Sequence, residues 1–199
     1  MNIETFLSLS MFSFVTSITP GPNNIMLLAS GMNFGLKRTM PHALGVSLGF
    51  FVMLVAVGLG VGALIQSSEV VYNILKYIGI IYLLWLAWKT TISRSVGSPK
   101  DGNEKPLTLL EAALFQWVNP KAWMMAVSGM ALYTESMNPY SSMLIVAIIF
   151  SLINFPCVTI WAMFGSELRE RLKNPQVLKK FNLVMGLLLA ASAISVLFQ

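Results

Sequence analysis

The chain has 199 residues, 56% of them hydrophobic and only 11% charged, with a mean hydropathy of +0.72. This composition excludes an ordinary soluble domain and points to an integral membrane protein. The formal net charge of +5 is then a matter of topology, because the apolar runs leave no room for a soluble catalytic or nucleic-acid-binding domain.

Crossing about 30 Å of hydrocarbon takes about 20 apolar residues. Six runs of that length occur, at roughly 5–31, 41–65, 70–90, 109–133, 141–164 and 178–198. The expected fold is all-α, with six transmembrane helices in one domain over residues 1–199. The first run has no preceding Lys or Arg, is long, and lacks a small-residue cleavage site, so it is expected to remain as a span rather than leave as a signal peptide. It contains Thr19-Pro20-Gly21-Pro22-Asn23-Asn24. Two prolines and a glycine remove backbone donors and favour non-helical geometry, which predicts two half-helices. Irregular backbone survives in hydrocarbon only where it is buried in protein or faces a water-filled cavity. The break is therefore a candidate binding site, with a plain proline kink as the alternative.

The second run carries Gly45, Gly49, Gly58, Gly60 and Gly62, whose expected role is close helix packing. His42, the only histidine, follows Pro41 at the mouth of this run. It is expected to be solvated there, with proton coupling as the other reading. Trp85, Trp88 and Lys89 end the third run like an interfacial belt. In the fourth run, Glu111 is expected to stabilise the helix start, and Asn119-Pro120-Lys121 breaks the middle, flanked by Trp117 and Trp123 as candidate cavity walls. Asn154 and Pro156 form a further polar break in the fifth run, expected to line the same cavity. Cys157 is the only cysteine, which excludes an intramolecular disulfide, a dithiol relay and a thiolate metal cluster.

Charge sorts the connections. Lys37 and Arg38 lie after the first run, Lys89, Arg94, Lys100 and Lys105 after the third, and Arg169, Arg171, Lys173, Lys179 and Lys180 after the fifth. These hold eleven of the thirteen Lys and Arg residues, whereas Glu4, Glu69 and Glu135 fall on the other side, with Lys76 as the one basic neighbour. The positive-inside rule makes the basic side cytoplasmic and places both termini outside. A break in the first run and another in the fourth imply two repeats, about 1–92 and about 109–199, joined by a cytoplasmic linker at about 93–108. With three spans each, the repeats must be inverted. Inverted repeats with helices 1 and 4 interrupted point to a secondary transporter with its site near the bilayer midplane.

The breaks suit a small zwitterion. A helix restarting after Pro22 presents unpaired amides to a carboxylate, while the carbonyls ending at Thr16 to Thr19 suit an ammonium. Asn23 or Asn24 either caps the new helix or faces the ligand. Lys121 is the one basic residue deep in a span, and an ionisable group there is a functional candidate by default. Its readings are substrate binding, coupling, or pairing with Glu111 or with carbonyls freed by Pro120. The candidate site is thus Thr19, Pro20, Gly21, Pro22, Asn23, Asn24, Asn119, Pro120, Lys121 and Asn154, with Lys121 as coupling candidate and no catalytic or metal residues.

Several strings carry a family resemblance. Thr19-Pro20-Gly21-Pro22-Asn23-Asn24 with Gly31 and Gly35, Gly45-Val46-Ser47-Leu48-Gly49-Phe50, Tyr82-Leu83-Leu84-Trp85-Leu86-Ala87-Trp88-Lys89 and Phe115-Gln116-Trp117-Val118-Asn119-Pro120-Lys121 resemble the lysine exporter and homoserine/threonine resistance family of amino-acid exporters. Within that family the chain is most similar to the cysteine and O-acetylserine exporter branch. The resemblance implies six spans in a bacterial inner membrane and proton-driven efflux of amino acids. Its candidate substrates are cysteine, O-acetylserine, homoserine and threonine.

Apart from Lys121 no charged side chain lies deep in a span, which favours a neutral amino acid and argues against divalent-cation export. The expected partners are an amino-acid substrate, protons and the lipid bilayer, with a second copy of the chain left open. No cofactor and no nucleic acid is expected. An intramembrane serine protease is disfavoured by the lone histidine at a membrane edge and the lack of Gly-x-Ser-Gly. A passive channel or facilitator for small polar solutes, built from paired half-helices, is the alternative function.

Overall fold

Prolines punctuate this fold. Pro22, Pro120, Pro139 and Pro175 each begin a helix, the position where a missing N–H costs nothing because it has no intrahelical partner. The computed structural model describes residues 1–60, 69–92, 105–135, 137–168 and 174–197. Among them are eight α-helices: α1 (Ile3–Ile18), α2 (Pro22–Phe34), α3 (Leu36–Gly58), α4 (Glu69–Ile92), α5 (Leu109–Phe115), α6 (Pro120–Tyr133), α7 (Pro139–Leu168) and α8 (Pro175–Leu197). A 3₁₀ turn, Gln116–Val118, follows α5. The first and fourth apolar runs are thus each two helices laid end to end, and α3 and α7 are long and apolar enough to cross a membrane as single helices. The fifth run departs from expectation. α7 passes through Pro156 without a break, so Asn154 sits on a continuous helix. The linker residues 93–104, with Arg94 and Lys100, and residues 169–173, with Arg169, Arg171 and Lys173, lie outside the described residues, as does Gly62.

Between apolar helices in lipid, close fit and hydrogen bonds must replace the hydrophobic drive. Glycines supply the fit. A Cβ at Gly31 would overlap the carbonyl of Ala162, and one at Gly165 the carbonyl of Leu28, so α2 and α7 meet backbone to backbone. Gly45 and Gly49 bring α3 equally close to Leu109 and Ala113 of α5. A second layer is aromatic: Phe150 of α7 takes Phe12 and Phe50 edge-on, with centroids 5.8 and 5.1 Å away, among buried Leu9, Met53 and Val146. α4 and α8 pack chiefly on one another.

Contacts fix the helix directions. Ser8 bonds Tyr133 while Thr19 meets Lys121, so α1–α2 runs antiparallel to α5–α6. Gly58 lies against Met143 while Ser47 bonds Asn154, so α3 and α7 are antiparallel as well. At one end the N-terminal ammonium pairs with Glu135 at 3.1 Å. At the other, Leu36 and Leu107 share a cluster, and Met32 packs with Leu168 and Leu178. The described residues that flank the connections after the first, third and fifth apolar runs, Leu36, Leu107, Leu168 and Leu178, therefore lie toward one end of the bundle.

Candidate functional site

α1 stops because Thr19 precedes a proline and is driven into extended backbone, ψ 146°. The helix end leaves carbonyls that hydrocarbon cannot satisfy, and each finds a side chain. Thr19 Oγ1 donates to the Thr16 carbonyl at 3.0 Å. The Asn24 amide donates to the carbonyls of Ser17 at 2.8 Å and Thr19 at 2.7 Å. Trp161 of α7 donates its indole N–H to Ile18 at 3.1 Å. Lys121 Nζ donates to the Thr19 carbonyl at 2.7 Å, Thr19 Oγ1 at 3.0 Å and the Pro20 carbonyl at 3.3 Å.

Of the readings open to Lys121, pairing with Glu111 or with carbonyls at its own break does not occur; the contact runs across to the other break. Glu111 instead forms a capping box with Thr108, its carboxylate taking the Thr108 N–H at 2.8 Å, in keeping with its place at a helix start. The two asparagines also depart from the local rule. Neither caps α2, whose cap residue is Gly21 and has no side chain to offer. Asn24 turns back to close α1. Asn23 reaches the second break, where its Nδ2 donates to Gln116 Oε1 at 2.8 Å and Gln116 Nε2 returns a bond to Asn23 Oδ1 at 3.2 Å. The backbone amides of Asn23 and Asn24 donate to no described residue, the first helical bond being that of Ile25 to Gly21.

At the second break Asn119 caps its own helix. Its Oδ1 accepts from the Lys121 amide at 3.2 Å and its carbonyl from Ala122 at 3.0 Å. Gln116, fully buried, also donates to the Ala112 carbonyl at 2.8 Å. Asn154 ties three helices together, donating to Ser17 Oγ of α1 and accepting from Ser47 Oγ of α3, both at 3.1 Å.

These groups surround a cavity of about 20 Å³, room for about one water molecule. Gly21, Asn23, Asn24, Asn119, Lys121 and Asn154 line it, joined by Ser17 and Met125. Of the remaining candidates, Thr19, Pro20, Pro22 and Pro120 shape or cap the breaks without lining the cavity. Trp117 and Trp123 do not line it either. They stack edge-on at 5.9 Å, with the Trp123 indole donating to the Trp117 carbonyl. His42 is buried at 2% exposure, contrary to the expected solvated position, and its Nδ1 has no partner among the described residues. Gln116, Ser17 and Trp161 are site residues that the sequence reading passes over. The one available signal is a glutamine four residues before the second proline in an otherwise apolar run.

An apolar helical bundle in which two broken runs meet through amide, hydroxyl and ammonium groups has the form of a membrane transporter. The sequence profile of the LysE type translocator family matches residues 14–199. The chain is 33% identical over 188 residues to a leucine efflux protein of Enterobacter sp. (strain 638), covering 91% of this chain and 89% of that one. It is 29% identical over 190 residues to a cysteine/O-acetylserine efflux protein of Escherichia coli (strain K12), covering 94% of each. No solved structure matches the chain. The chain belongs to the LysE type translocator family.

Proposed function

We propose that this chain exports small neutral amino acids from the bacterial cytoplasm as a secondary transporter. It carries them through a site at the two breaks, with six spans in two inverted repeats, both termini outside, and a proton gradient as the driving force. The observation that carries this reading is the contact of Lys121 Nζ with the Thr19 and Pro20 oxygens, because it joins the two interruptions into one polar centre inside an apolar bundle. Beside it, the free amides at the start of α2 suit a carboxylate. Among the lining residues Lys121 is the only charged one, which suits a ligand with no net charge. The relatives named for leucine and for cysteine/O-acetylserine efflux support an amino-acid cargo, and their span of side chains is why the particular amino acid stays a class. The small cavity favours a carrier that opens by moving over a standing pore.

The test is uptake of labelled leucine and cysteine into inverted membrane vesicles containing the protein. Accumulation that follows an imposed proton gradient is the expected result. Equilibration without accumulation, indifferent to the gradient, would replace the exporter by a facilitator.

A further inference from the structure

We infer that the Lys121 ammonium is a built-in occupant of an ammonium position at the edge of this cavity, and that its displacement confines the site to ligands bringing their own carboxylate. The inference rests on the proposed reading of the cavity as the amino-acid site.

An ammonium has three donors and no acceptor. Around Lys121 Nζ the end of α1 supplies three oxygens, two carbonyls and the Thr19 hydroxyl, at 2.7 to 3.3 Å. The negative end of the α1 dipole adds to their attraction. No carboxylate takes part, since among the described residues the one ion pair is the N-terminal ammonium with Glu135, far off at the bundle end. The oxygen cup is therefore selective for an R–NH₃⁺ group without being specific for lysine.

Gly21 is an independent sign that the lysine is meant to lie there. Its backbone is extended, φ −175°, a conformation open to any residue, so turn geometry does not explain the glycine. Close approach does. A Cβ at this position would stand 2.6 Å from Lys121 Cδ and 3.1 Å from Nζ. The missing side chain is the channel through which Lys121 reaches the cup.

A ligand ammonium entering the cup must push Lys121 out, and the freed cation then needs a counter-charge that the described lining residues do not possess. An α-amino acid brings one in its carboxylate, held within reach of Lys121 and of the α2 amides. A simple amine brings none and leaves two cations side by side at low dielectric. Lys121 is thus a specificity-determining residue that excludes amines.

The experiment measures equilibrium binding to the purified full-length protein with four probes: leucine, cysteine, and their decarboxylated counterparts isoamylamine and cysteamine. In the unaltered protein the amines bind at least about tenfold more weakly than the amino acids, one factor of ten being the smallest coupling worth naming. In Lys121→Met the amines tighten by about tenfold while the amino acids weaken, a gain that a merely structural role of Lys121 would not produce. Gly21→Ala serves as the second variant. It pushes the side chain off the cup yet keeps the charge, so leucine tightens and isoamylamine stays excluded. Unchanged amine binding in Lys121→Met, or unchanged or lost leucine binding in Gly21→Ala, overturns the inference alone. If neither leucine nor cysteine binds the unaltered protein, the amino-acid reading of the cavity falls.

Discussion

The two breaks differ in who closes them. At the second break the chain looks after itself: Asn119 caps α6 with its own side chain and carbonyl, and the 3₁₀ turn tightens the end of α5. At the first, the carbonyls from Ser17 to Pro20 are closed by donors from α2, α6 and α7, while the first amides of α2 donate to no described residue. One interruption closes itself and the other borrows its closure. A ligand can replace a borrowed donor, whereas it has nothing to replace at a capped helix. In the proposed reading the cargo-facing chemistry therefore belongs mainly to the first break, with the second delivering Lys121 to it.

This asymmetry can be broken experimentally. Asn24→Leu removes the donor to the Ser17 carbonyl and one of the two donors to the Thr19 carbonyl, and is expected to destabilise the protein by about 2 kcal/mol, read as a lowered unfolding midpoint in detergent together with lost export. A double-mutant cycle on Asn23 and Gln116 should give a coupling of about 1 kcal/mol, within the range measured for hydrogen bonds between membrane helices. A coupling near zero would mean that the amide pair does not hold the breaks together. Asn119→Ala, which deletes a local cap and one amide of the cavity wall, is expected to cost about 1 kcal/mol or less in stability and to reduce export less than Asn24→Leu does. Should Asn119→Ala be as damaging as Asn24→Leu, the second break would be no mere fixture.

The positions of both breaks were legible because proline and glycine act on the backbone locally, whatever surrounds them. Lys121 stood out for a similar reason, as a charge where hydrocarbon tolerates few. The pairings were not legible. N-cap preference assigned Asn23 or Asn24 to the helix that follows, yet a carbonyl end lies just across the gap and Asn24 serves that instead. Nothing in the local sequence links Asn23 to Gln116, 93 positions away, or Trp161 to Ile18. His42 misled because hydropathy places a residue in depth and not in azimuth: it sits at the mouth of α3 on the buried side. Pro156 misled because a proline removes one helical bond and leaves the rest of a long helix, α7, to carry on.

The borrowed closure of α1 also sets an order of assembly. Asn24 and Thr19 are near enough to serve the carbonyls of Thr16, Ser17 and Thr19 as soon as the first span is made, but those of Ile18 and Pro20 depend on Trp161 and Lys121, which lie 143 and 101 positions downstream. A chain made from its N-terminus exposes those two carbonyls before their donors exist, and lipid offers no substitute. The span that is synthesised first is thus closed only when α6 and α7 have entered the membrane beside it.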